Sequence, residues 1–226
     1  MLNPNPRAVD FIDGMSTKAR RNAMLGNVDS FKSDRVRNLL NQVHNQVSLS
    51  IDVVKKLAKD ESRTEVSKHA RAKVEAETLN HVLAKARDEI RAEADRLEGE
   101  ATSKIDATFK LDPSKAVYHG LKLAWLKEQW NDPNGGSAAI TKQVKLDPEL
   151  SSLLFNGDAY IIGVSDEARL KFIETGVKAH VPDAYQGIET AKQMRDTSDK
   201  YDGVMNNVRT AFYIESVAAK IESRVE

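Results

Sequence analysis

From Val28 to Glu98 the chain contains neither glycine nor proline, the two residues that most readily interrupt a helix. Within that window Val36, Leu40, Val43, Val47, Val54 and Leu57 recur at three-, four- and seven-residue steps. After a densely charged middle, Leu79, Leu83, Ala86, Ile90 and Leu97 resume a similar spacing. Apolar residues at this period line one face of a helix. The stretch therefore reads as one very long helix, or as one broken once. Unbroken, about 70 residues at ~1.5 Å each make a rod on the order of 105 Å.

Either form has to bury its apolar stripe. A rod does so by self-association into a coiled coil, with Val36, Leu40, Val43, Val47, Val54, Leu57, Leu79, Leu83, Ile90 and Leu97 as the seam. A helix broken near residues 59–64 does so as an antiparallel hairpin. Leu79, Leu83, Ile90 and Leu97 would then return against Leu57, Val54, Val47 and Leu40. The segment Asp60-Glu61-Ser62-Arg63-Thr64 is the one plausible break, and its lack of a strong breaker favours the rod. Between Lys55 and Glu77 only Val66, Ala70 and Val74 align, so this part is expected to be polar nearly all round. Opposite charges four apart (Arg71 with Glu75, Lys73 with Glu77, Lys85 with Glu89, Arg91 with Asp95) support continuing helix by a few tenths of a kcal/mol each. Asp29 or Ser30 is the expected cap at its start.

The flanking segments read differently. Residues 1–27 form an N-terminal arm with short helices, preceded by the turn-like Asn3-Pro4-Asn5-Pro6, which is expected to be mobile. Residues 28–110 are the long helical element, and residues 111–226 a mainly helical domain with its own core. Asp112-Pro113 and Asp147-Pro148 each combine a capping aspartate with proline at the first helical position. The helix after Pro113 carries Val117, Leu121, Trp125 or Leu126, and Trp130. Ile140–Leu146 alternates apolar and polar residues, and Ala159–Val164 is a short apolar run. These two are expected to form a minor β element. Ser165, and then Pro182-Asp183, open further helices. Leu170, Ile173 and Val177 are the expected inner face of the first. The last helix is read from Val204 through Val208, Ala211 and Ala218 to Ile221 and Val225. The fold class is thus mainly α: a long helix or hairpin plus a small helical domain with a minor β element.

Composition narrows the function classes. Lys+Arg and Asp+Glu are equal at 34 each, so no overall field concentrates nucleic acid or anionic membrane. With no cysteine, thiol catalysis, thiolate metal sites and disulfides are excluded. The first fifteen residues lack the apolar core of a secretory signal, and no window reaches the ~18 apolar residues of a membrane span. A cytoplasmic protein, or one incorporated in a particle, is the expectation. The five histidines show no metalloprotease spacing. Glu65 with His69 and Glu77 with His81 are loose four-residue pairs that read as ordinary surface contacts rather than metal ligands. Asn134-Gly135-Gly136 lacks the strand, helix and lysine of a phosphate loop. No catalytic residue, metal or cofactor is expected.

What remains is binding. The long charged helix with a small helical domain is similar in general architecture to assembly, scaffolding and particle-internal proteins. The expected function is a non-enzymatic structural protein that self-associates or docks in a larger complex. One of Trp125 and Trp130 is a candidate partner anchor, because exposed tryptophan is enriched at binding hot spots. The alternative is a nucleic-acid accessory protein whose Lys18, Arg20, Arg21, Lys32, Arg35 and Arg37 contact phosphates.

Overall fold

The glycine- and proline-free window is two helices, not one. A computed structural model describes residues 1–220, so Ile221 and Val225 lie outside the described residues. Here α3 spans Asp34–Lys59 and α4 spans Glu65–Thr108. Side chains make the break between them. Asp60 Oδ1 accepts the Ser62 N–H (2.9 Å) and hydroxyl, and Oδ2 accepts Arg63 Nε at 3.1 Å. Thr64 Oγ1 then accepts the Ser67 N–H at 3.3 Å and caps α4. Asp, Ser and Thr offer the backbone local partners that compete with the helix ladder, so a turn forms without glycine or proline. The start is also later than expected. Phe31 is buried in an extended conformation and separates a single 3-10 turn at Val28–Ser30 from α3.

Two contacts set the register of the hairpin. Ser50 Oγ donates to Glu75 Oε1 at 2.7 Å, and Ser33 Oγ donates to Glu93 Oε1 at 3.3 Å. Residues on the two helices are therefore level when their numbers sum to about 125–126. That sum places Leu79 beside Val47, Leu83 beside Val43, Ala86 beside Leu40 and Ile90 beside Val36, all of them buried. The sequence-based pairing, which sums to about 137, is off by roughly three helical turns. The difference comes from Ala72 and Ala76, both fully buried, which face Val54 and Ser50. Their small side chains carry the stripe through the charged middle, whereas Val74 is half exposed. Leu97 falls beyond the start of α3 in this register and takes no part in the hairpin.

The chain divides into two units, residues 1–94 with those from Lys192 on, and Asp95–Ala191. These boundaries differ from residues 27 and 110 because helices near the two ends share one core. In the first unit, α1 (Pro6–Met15) and α2 (Lys18–Leu25) pack against α11 (Lys200–Phe212). The N-terminal arm is tied down. Leu2 is buried, Asn3 Nδ2 donates to the Thr210 carbonyl at 2.7 Å, and Asn5 caps α1 with Pro6 at its first position. The Tyr201 hydroxyl donates to the Leu25 carbonyl at 3.0 Å. Lys73 reaches Glu215, and Arg91 reaches Asp199, so charges read as pairs within one helix also tie α4 to the C-terminal segment.

Two buried histidines are expected to make the stability of this unit depend on pH. His44 Nε2 lies 3.0 Å from the Gly26 carbonyl, and His69 Nδ1 accepts the Ile214 N–H at 3.0 Å. Burial is the largest cause holding both below the ordinary histidine value; at His44 the Gly26 carbonyl opposes it and Arg21 and Lys18 add to it, and at His69 Glu65 opposes it and Lys68 adds to it. The fold thus holds the neutral forms. Their stabilisation is complete above about pH 6.5 and is lost as pH falls towards the depressed folded values, by at most ~1.4 kcal/mol per pH unit for each histidine. The melting temperature is expected to drop between pH 7.5 and 5.5. His69→Asn, which keeps an acceptor near Nδ1 but does not titrate, should flatten part of that slope. An unchanged slope would show that His69 contributes none of it.

The second unit is helical where strands were expected. Ile140–Leu146 lies in α6 (Gly136–Leu146), with Ile140 and Val144 buried and Lys142 and Leu146 exposed. Positions four apart share a face in a helix as well as in a strand, so the alternation fits both periods. Ala159–Ile162 is a single turn, α8, closed by Gly163 in the left-handed region (φ 83°). Helices α5 (Ala116–Trp130), α6, α7 (Pro148–Asn156) and α9 (Asp166–His180) enclose a core of Leu126, Ile140, Val144, Leu150, Leu154 and Phe172. A second cluster joins Ile105 and Phe109 of α4 to Val177, Val181 and Ala184, the last on α10 (Pro182–Ser198). The aspartate caps form as read: Asp112 accepts the Ser114 N–H, and Asp147 accepts those of Glu149 and Leu150. On α9 the inner residues are Phe172, Gly176 and Val177, while Leu170 is largely exposed.

Candidate interaction surface

Helix α5 has two apolar faces. Leu126 is fully buried, and Leu123, Trp125 and Trp130 pack against the same core, each partly buried. At 100° per residue, Val117, Tyr118, Leu121 and Trp125 fall on a second arc about 100° wide, beside the first. Val117 is 84% exposed, Leu121 66% and Tyr118 51%. Trp125 at the edge of this arc packs on the core, whereas Val117, Tyr118 and Leu121 are left exposed beyond the stripe that joins the helix to its domain.

A groove of about 360 Å³ runs beside this stripe, lined by Tyr118, Leu121, Lys122, Trp125, Gln143, Asp147 and Leu150. Lys122 is among the lining residues and bonds Asp147 Oδ2. Its ammonium is also 3.4 Å from Glu149 Oε2 and 4.5 Å from the centre of the Tyr118 ring. Lys115 bonds the other oxygen of Glu149. Partial burial pulls the Lys122 ammonium down, but the Asp147 hydrogen bond and the nearby negative charge outweigh it and leave the group above the ordinary lysine value. Burial raises Asp147, yet the bonds from Lys122, Leu150 N–H and Glu149 N–H hold its carboxyl low. The hydrogen bond from Lys115 lowers Glu149. All four groups stay charged at neutral pH, and two cations face two anions. The charges at and beside the groove are paired within the chain and locally neutral.

Both tryptophans are partly buried and pack against the same core, and they differ in what else they touch. Trp125 lines the groove, while Trp130 meets Phe172 edge-to-face with centroids 6.2 Å apart. Of the two anchor candidates, Trp125 is the one that also borders the groove. The sequence had marked Val117, Leu121 and Trp125 as apolar partners but could not tell which of two overlapping stripes turned inward.

The other candidate residues lie in the first unit or next to it. Val36, Leu40, Val43, Val47, Val54, Leu57, Leu79, Leu83 and Ile90 are buried by the chain's own helices, so the seam they form is occupied within one molecule. Leu97 is half-buried in the second unit. The basic residues are not gathered into one free patch. Arg21 Nη1 donates to the Met15 carbonyl at 2.8 Å, Arg35 lies 3.8 Å from Glu93, and Arg37 lies 3.3 Å from Asp34. Lys18, Arg20 and Lys32 are exposed.

Among the described residues no group of three or more His, Asp or Glu side chains is arranged to hold a metal ion. His69, read as a partner for Glu65, instead spends Nδ1 on the Ile214 N–H. No described helix is long and apolar enough to cross a membrane. Compared with protein-family models, with curated proteins and with solved structures, the chain matches none.

Proposed function

We propose that this is a non-enzymatic assembly protein that docks in a larger complex through the outer face of α5. The surplus apolar stripe of that helix carries the reading. Val117, Leu121 and Tyr118 stand exposed beside a groove in which Trp125 is already half-buried. Exposed apolar patches bordered by polar groups are the usual mark of an interaction site. Half-buried tryptophan and tyrosine offer large contact area at low entropic cost. The groove's charged groups neutralise one another, which suits a static rim around a docking site. Docking through this face replaces the long-helix seam as the proposed mode of association. The nucleic-acid alternative is less favoured, because Arg21, Arg35 and Arg37 already have partners in the chain.

A photo-crosslinking residue at position 121, introduced in cells that normally make the protein, should give a discrete adduct with another polypeptide. The same residue at Leu49, an isolated exposed position on α3, should not. Equal labelling from both positions, or none at 121, would overturn the docking reading. Adduct formation on added nucleic acid that falls steeply with salt would favour the phosphate-contact alternative.

A further inference from the structure

We infer that His69 is the latch of a pH-operated strap: protonating its imidazole frees residues 213–218 from α4 while the rest of the first unit stays folded. The direction of one hydrogen bond carries the inference. The Ile214 N–H donates to His69 Nδ1 at 3.0 Å, so Nδ1 is the unprotonated nitrogen of a neutral ring. An imidazolium carries N–H groups at both ring positions. Two donors then face each other, and the bond is lost. His44 behaves differently. Its Nε2 lies against the Gly26 carbonyl, an acceptor, and that bond survives protonation. Of the two buried histidines, His69 is the one that gives up its tie by gaining a proton.

The strap has few other anchors. Helix α11 ends at the fully buried Phe212, and Tyr213 continues in extended backbone. Beyond it α12 (Glu215–Ala218) is one turn long. Besides the Ile214 bond, the segment is held by the buried Tyr213 and Ala218 and by Glu215, 2.9 Å from Lys73 Nζ. A short terminal segment with so few ties sits at the low end of local stability. The hydrogen bonds from Lys73 and Tyr213 hold Glu215 below the ordinary carboxylate value, so this ion pair stays charged while His69 titrates.

The charges around the latch leave its sense intact. Among the described residues, Glu65 on α4 favours the imidazolium and Lys68 opposes it. On the strap, Glu215 is next to Ile214 but paired with Lys73, and Arg209 of α11 lines the same groove as both. In the register of the hairpin, α3 brings the exposed Lys56 level with His69, and the N-terminal arm brings the neutral Asn3 beside Ile214. Burial outweighs Glu65 and keeps the ring neutral in the closed strap. Closure is therefore fully stabilised above about pH 6.5 and weakens as pH falls.

Hydrogen exchange of the full chain, read on peptic peptides and corrected for the intrinsic effect of pH, tests this. Between pH 7.5 and 5.5 the protection of residues 213–218 should fall several-fold, up to about tenfold, the limit for one site titrating one unit below its free value. Peptides from α11 should keep their protection. His69→Asn retains an acceptor at the Nδ1 position and does not titrate, so its strap should stay equally protected at both pH values. His44→Gln should leave the wild-type fall in place. A wild-type strap with equal protection at the two pH values would overturn the inference. So would a fall shared by α11, one that persists in His69→Asn, or one that His44→Gln abolishes.

Discussion

Val43→Asp is expected to unfold the first unit outright. Val43 is fully buried where α3 meets Leu83 of α4 in the register set by the Ser50–Glu75 and Ser33–Glu93 hydrogen bonds. A carboxylate there has no partner, and burying an unpaired charge costs several kcal/mol at the least. Domains of this kind are stable by only about 5–15 kcal/mol in total. Thermal unfolding followed by circular dichroism should lose most or all of the first unit's transition. Leu49→Asp on the same helix changes a 59% exposed residue and should move stability by no more than about 0.5 kcal/mol. If the seam served an intermolecular coiled coil instead, Val43→Asp would lower the mass in solution and leave a folded monomer. Glu75→Ala, by contrast, deprives the fully buried Ser50 hydroxyl of its acceptor and should cost about 1 kcal/mol rather than nothing.

The second large effect is expected at Gly136. A Cβ placed there would lie 1.7 Å from the Gln129 carbonyl oxygen, a backbone atom that cannot swing away. Gly136→Ala must therefore displace the turn that ends α5 or the start of α6, at a cost of about 3 kcal/mol or more. Gly120, in the middle of α5, has open space around its missing Cβ. Gly120→Ala should stabilise by about 0.5–1 kcal/mol, as glycine is a poor residue inside a helix. The pair of substitutions, compared by chemical denaturation, separates close backbone approach from helix propensity. Equal shifts of the same sign would refute the packing assigned to Gly136.

Local chemistry made much of this protein legible before its structure was known. Helical character followed from the three- and four-residue spacing. Asp112-Pro113 and Asp147-Pro148 announced their helix starts, because a carboxylate accepting N–H groups and a ring with a helix-compatible φ act within one turn. The absence of cysteine settled thiol chemistry outright. These features depend on neighbours in the chain, and the chain alone contains them.

Tertiary packing decided the rest. The break at residues 60–64 rests on hydrogen bonds among Asp60, Ser62 and Arg63, residues that are tolerated inside a helix when no partner helix draws the chain back. Register was beyond reach because Ala72 and Ala76 look unremarkable as sequence, yet are the small residues that let α4 approach α3. The alternation at Ile140–Leu146 satisfied two periods at once, and only the core around Leu126 and Phe172 selected the helix. On α5 the same ambiguity bears on function. Two apolar stripes overlap in one short sequence, and hydrophobicity alone does not say which one the domain consumes. Once Leu126, Trp125 and Trp130 packed on the core around Phe172, Val117 and Leu121 were left on the surface.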